Sequence, residues 1–272
     1  PPKAFHTDSN LGRWCLRRME MIDRDNVERI KDLANLELVP AIDRVFSLEP
    51  SGERIDVISI GSSAIHVLES MAKSKNIGLK SLFFAVHSIA VSAISNSGYC
   101  YTGLSLDSRH LVASGESTLG LFVEAMPLVV DIKSMGENAL SLAAFLHRKE
   151  FELKDLASQS SSTLYRRCSI REPDFHFNFV NFHAYTDISD IIELDFNNVW
   201  YREKTNFPLV NHVIISPVDS SATVNVHSQV PDDKTYLVER YSEIFCNVVE
   251  SLVDVTLLPV SMKPQPSLTW LP

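Results

Sequence analysis

Glu124 is the first residue in this chain that calls for a chemical explanation. It interrupts the apolar stretch STLGLFVEAMPLVVDI at 117–132. That stretch is too short to cross a membrane, since a spanning helix needs about 20 apolar residues. Its valines favour a strand, and Pro127 argues against a helix through its middle. A carboxylate in such a strand must face something polar. Histidine supplies a second set of candidates, nine in all, with no two adjacent. His87 lies in an apolar run and reads as a hydrogen-bonded core residue. His176 and His183 are an odd number of residues apart, so one strand would point them to opposite faces and they cannot share a metal there. Cys15, Cys100, Cys168 and Cys246 are widely spaced with no C-x-x-C pair, which supports neither a zinc site nor a disulfide framework. No metal site is expected. The chain contains no G-x-S-x-G, Walker A, G-x-G-x-x-G or H-E-x-x-H motif.

The elements that must hold these groups follow from periodicity. Val27, Ile30, Leu33, Ala34 and Leu38 recur at helical spacing between a capping Asp25 or Asn26 and Pro40. Ser62 or Ser63 opens a clearer helix, with Ile65, Leu68, Met71 and Ala72 on one stripe and Gly78 at its end. Residues 79–97 form a helix apolar nearly all round and closed by Gly98, which belongs inside the protein against a sheet. YCYTGLSLDSR at 99–109 alternates as a strand, the 117–132 strand follows, and a helix covers 137–157. Residues 158–174 are Ser-rich and read as irregular. DFHFNFVNF at 174–182 is a strand with its aromatic residues on one face. A hairpin is expected from 208–217 and 222–229 around VDSS. An amphipathic helix over 233–254 carries Leu237, Tyr241, Ile244, Phe245, Val248 and Leu252, and a Pro-rich tail closes the chain. The order predicts an α/β sandwich, a mixed sheet with helices packed across it. No internal repeat is visible.

Composition narrows the classes of function. With 272 residues the chain can bury roughly 75% of its unfolded surface. Hydrophobic residues at 45% and charged residues at 22% are ordinary for a globular protein. A net charge of −9 argues against a nucleic-acid binder, and the basic cluster Arg13, Arg17 and Arg18 is offset by Glu20 and Asp23. There is no signal peptide and no run of 18 apolar residues, so a reducing cytoplasm is expected, with no membrane partner. The chain opens at Pro1 rather than methionine and is expected to be either a fragment or a natural truncation.

The order of these segments resembles the C-terminal lobe of a nonribosomal peptide synthetase condensation domain, in the chloramphenicol-acetyltransferase-like superfamily. An apolar helix leads into YCYTGLSLDSRH, where Gly103 to Arg109 matches the family's glycine-rich stretch closed by an arginine. Gly120, Phe122, Val123, Pro127 and Leu128 match its G-x-F-V-N-x-x-P-L-R segment. FHFNFVNF is similar to its aromatic strand, and Phe207 to Val230 to its paired strands before the last helix. Glu124 stands where the family has asparagine, and Val129 where it has arginine. The H-H-x-x-x-D-G motif, which belongs to the N-terminal lobe, is absent.

The resemblance implies one lobe of a two-lobed domain over residues 56–256, preceded by a connecting segment with one helix (1–55) and followed by a Pro-rich linker (257–272). It implies an amide-forming acyltransferase that joins a thioester on one carrier protein to an amine on another. No cofactor would be bound directly, the phosphopantetheine arm being supplied by acyl or peptidyl carrier proteins. The missing N-terminal lobe and neighbouring synthetase domains are the other implied partners. No catalytic residue is expected in this chain. Arg109 would support the active site by pairing with the motif aspartate across the lobes, or else is a surface arginine at a strand end. Gly120, Phe122 and Glu124 would line the substrate tunnel, unless Glu124 merely pairs with a nearby Lys or Arg. On the tunnel reading, Glu124→Gln should fold normally while changing condensation rate or acceptor preference. Two alternatives stand beside the enzyme: a non-catalytic module that docks a carrier protein or neighbouring domain, and a trimeric small-molecule acetyltransferase, which would need a histidine motif of its own.

Overall fold

The computed structural model describes residues 24–46, 52–112, 115, 122–135, 138–157, 159–181, 205–253 and 261–264. The helices are α1 (Arg24–Leu33), α2 (Ser62–Ser74), α3 (Leu79–Ser95), the single turn α4 (Ile132–Met135), α5 (Ala139–Lys154), α6 (Ser161–Cys168) and α7 (Thr235–Leu252). The strands are β1 (Glu53–Ile60), β2 (Tyr99–Asp107), β3 (Val123–Asp131), β4 (Phe175–Asn181), β5 (Leu209–Ile215), β6 (Ala222–Gln229) and β7 (Ser261–Pro264). They make one mixed sheet in the order β3-β2-β4-β5-β6-β1-β7. The β2–β4 and β4–β5 pairs are parallel and the others antiparallel. The expected α/β sandwich is what forms.

Helix α3 is central because no face of it can stay wet. Leu82, Phe83, Phe84, Val86 and Val91 are all at most 1% exposed. It packs between α5 and α7 and against β2. Phe177 of β4 meets Phe84 at 5.1 Å between ring centroids, and Phe83 stacks on Phe245 of α7 at 6.3 Å. Asn96 ends α3 in the left-handed region (φ 50), before Gly98 is reached. Gly98 is itself at φ +78, and a side chain there would collide with Lys133.

Pro127 is tolerated because β3 is the edge strand. It stands opposite Gly103. Two residues on, Val129 turns its backbone outward: its N–H donates to the Ala34 carbonyl at 2.9 Å, and its carbonyl accepts from Asn35 Nδ2 at 3.0 Å. Pro127 shares that orientation, so its missing N–H falls on the open edge and no ladder bond is lost.

The chain differs from expectation in five places. The helix expected to run to Leu38 stops at Leu33, because Asn35 turns left-handed (φ 52) and a 3-10 helix, Leu36–Ala41, continues through Pro40. Residues 24–46 are more than a connector: Ile30, Ala34, Leu36 and Phe46 are buried, and Asp174, beside Arg44 and Arg171, accepts the Val45 N–H at 2.7 Å. Strand β1 was not foreseen, and the division at 55/56 falls inside it. Helix α6 forms within the stretch read as irregular, and β7 forms within the tail read as a linker, paired with β1.

Candidate functional site

Arg109 stands where β2 turns away from the sheet. Ser108 fixes that turn by donating both its N–H (2.8 Å) and its hydroxyl (2.7 Å) to the Phe122 carbonyl. The Arg109 N–H donates to Asp107 Oδ1 at 2.9 Å, and its Nη1 to the Gly115 carbonyl at 3.0 Å. The guanidinium lies 4.7 Å over the Phe122 ring, which is 1% exposed. A cation over an aromatic face is attracted by the ring quadrupole. Gly115 is required, because a Cβ there would sit 2.2 Å from the Arg109 carbonyl oxygen. Arg109 therefore holds the β2 exit to the β3 entry, with 31% of its side chain still reaching solvent. Gly120 lies outside the described residues.

Glu124 is half-buried at the start of β3, opposite Leu106. Its Oε2 accepts the Ser161 N–H and the Ser161 hydroxyl, both at 3.2 Å. Ser161 opens α6. A carboxylate there satisfies an orphan N–H of the first turn and complements the positive end of the helix dipole.

On the sheet face away from α3, three strands bring a polar cluster together. Parallel register sets Gly103 beside His176 and Asn178 beside His212. Ser105 Oγ and His176 Nε2 are 2.9 Å apart, and Asn178 Nδ2 and His212 Nδ1 are 3.3 Å apart. Phe207 stacks on the His176 ring at 4.6 Å between centroids. A side chain on Gly103 would press on both rings, at 3.3 Å from Phe207 and 3.4 Å from His176. His176 is 7% exposed. Burial first, and then the neighbouring His212, lower its pKa to about 3. His183, expected on the other face of the same strand, lies outside the described residues.

Behind the sheet, His87 is the hydrogen-bonded core residue anticipated from its helix. Its Nδ1 bonds the Tyr241 hydroxyl (2.7 Å), and its Nε2 the Thr102 hydroxyl (3.0 Å). Asn211 Nδ2 also donates to the Tyr241 oxygen, at 2.5 Å. Burial lowers the His87 pKa to about 3.

These groups limit the chemistry. Ser105 and His176 have the separation of a nucleophile and its base, yet the imidazole is held neutral, and no carboxylate reaches Nδ1 among the described residues. Proton uptake there would leave an unsupported buried charge, so this pair cannot act as a Ser-His-Asp relay does. Burial pushes the Cys100 thiol up to about 12 and Cys246 to about 11, which removes both as thiolate nucleophiles. Among the described residues no three His, Cys, Asp or Glu gather as metal ligands, and no single helix is long and apolar enough to cross a membrane. What remains is a cluster of neutral polar side chains on one sheet face and one anchored arginine at the end of β2.

No family model and no curated protein sequence matches this chain. Solved structures do match it. PapA2 acyl transferase aligns with a TM-score of 0.69 at 14% identity, over 89% of this chain and 55% of its own. The condensation domain of the monacolin K polyketide synthase MokA gives 0.65 at 11%, over 89% and 60%. The first condensation domain of the CDA synthetase gives 0.64 at 14%, over 96% and 59%. The chain has the condensation-domain fold, and spans between half and two thirds of the length of the structures it matches.

Proposed function

We propose that this chain is the C-terminal lobe of a condensation-type acyltransferase. It would form one wall of a tunnel in which a carrier-bound acyl or peptidyl thioester meets an amine on a second carrier. The reading is supported by the shared fold over 89–96% of the chain, together with the partial coverage of each neighbour. The absent H-H-x-x-x-D-G motif would come from the other lobe, whose second histidine positions the amine or takes its proton. Oriented reactants and a stabilised oxyanion would then supply the rate. In this lobe Arg109 keeps the corner in shape and uses its solvent-facing edge to meet the motif aspartate. Phe122 and Glu124 would lie at the strand entry beside the tunnel. The phosphopantetheine arms arrive on carrier proteins, within a synthetase in a reducing compartment.

The test is whether the polypeptide carrying this lobe transfers a donor acyl group to an aminoacyl carrier. Intact-protein mass spectrometry of the acceptor carrier should show a gain equal to the donor acyl mass. Carrier binding with no transfer would replace the enzyme by a docking module.

A further inference from the structure

His176 has a ring nitrogen that nothing among the described residues satisfies. Its Nε2 is engaged by Ser105 at 2.9 Å, whereas its buried Nδ1 has no hydrogen-bond partner among the described residues. Leaving a buried polar atom unpaired costs about 1–3 kcal/mol. Such a defect in an otherwise built site points to a group that arrives from outside. The site is built in three respects. Ser105 engages Nε2, Phe207 stacks on the ring, and Gly103 leaves the room both rings need.

The arriving group is constrained by what surrounds it. The stacking and hydrogen-bonding partners of His176, Phe207 and Ser105, are uncharged, and the ring stays neutral in its buried position. Lys80 donates to the Ser105 carbonyl at 2.9 Å but is already paired with Glu150 at 2.6 Å, so among the described residues a carboxylate or phosphate would meet no spare counter-charge, which is costly. Ser105 can donate to Nε2 or accept from it, so Nδ1 is either a donor or an acceptor. An amide offers both a carbonyl and an N–H, and suits either tautomer.

We propose that His176 is a substrate-reading residue, whose Nδ1 hydrogen-bonds a backbone-like amide of the pantetheine arm that enters along this wall. The proposal rests on the tunnel reading above and adds the residue and the chemical group. His176 makes no covalent bond and moves no proton; its hydrogen bond fixes the depth at which the arm lies.

The experiment is a titration of the full chain, labelled with 15N-histidine, with pantetheine, and with succinate as the anionic control. The His176 Nδ1 resonance should move saturably with pantetheine and stay still with succinate. His176→Phe, which keeps the stack on Phe207, should weaken pantetheine binding roughly five- to tenfold, the worth of one neutral hydrogen bond. His176→Gln, whose own amide can still hydrogen-bond, should recover part of the loss if the Phe variant is folded. Movement of other resonances with Nδ1 unmoved overturns the role of His176 and leaves the tunnel reading in place. An equal response to succinate overturns the neutral-amide assignment. No response anywhere overturns the proposal, and the carrier-transfer assay then decides separately whether the wall reading survives.

Discussion

Glu124 on β3 and Ser161 at the start of α6 are joined by two hydrogen bonds of 3.2 Å, one from the backbone N–H and one from the hydroxyl. The carboxylate that stood out in an apolar strand thus ties a helix 37 residues away to the sheet. The expectation that Glu124→Gln folds unchanged needs revision, because the charge now faces a helix N-terminus.

Glu124→Ala should lower stability by about 1–2 kcal/mol, the sum of a lost charge-assisted bond and a lost helix-end interaction. Glu124→Gln keeps an acceptor oxygen and should cost about half as much. Urea denaturation of the three proteins checks the order. Equal midpoints would show that Ser161 does not depend on this carboxylate.

Arg109→Ala removes the cation over Phe122 and the bond to the Gly115 carbonyl, and should cost about 1–2 kcal/mol. Gly115→Ala should match or exceed it, since its Cβ would stand 2.2 Å from the Arg109 carbonyl oxygen and the backbone must move. Because both changes strike one turn, the double variant should be less destabilised than the two costs added. Thermal melts of the single and double variants read this directly.

Acid should unfold the chain through its buried histidines. His87 and His176 have folded pKa values of about 3, against an ordinary 6.5. Between these values the unfolded chain binds protons that the folded chain does not. Stability is therefore complete above pH 6.5 and falls as the pH drops towards 3, by at most about 1.4 kcal/mol per pH unit for each histidine. His87→Gln, which stays neutral, should flatten the slope between pH 6.5 and 4. Urea midpoints across that range measure it, and an unchanged slope would assign the acid lability to other groups.

Much of the fold is legible because each element carries its own period. Leu82, Phe83 and Phe84 mark α3 as buried on every side, and Phe175, Phe177 and Phe179 mark one face of β4. What could not be read depends on partners far along the chain. Asp56 breaks the apolar pattern of β1, and it is held by Arg54, which also reaches Glu239 on α7. The serines of α6 argue against a helix until Glu124 satisfies its first turn. His176 was visible as a strand histidine, but its partner Ser105 lies 71 residues away. Only the parallel register of β2 and β4 brings them together. Likewise, Arg109 was legible as the closing arginine of a motif, whereas its seat on Phe122 required the turn to be seen.

The proposed role makes this chain one wall of an amide-forming site whose base comes from the other lobe. The most direct measurement is single-turnover transfer between a donor-loaded and an acceptor-loaded carrier protein, with the chain alone and with the polypeptide that also contains the histidine-motif lobe. The account predicts amide product with the two-lobed protein and only the uncatalysed rate with the chain alone. Transfer by the chain alone, well above that rate, would contradict it.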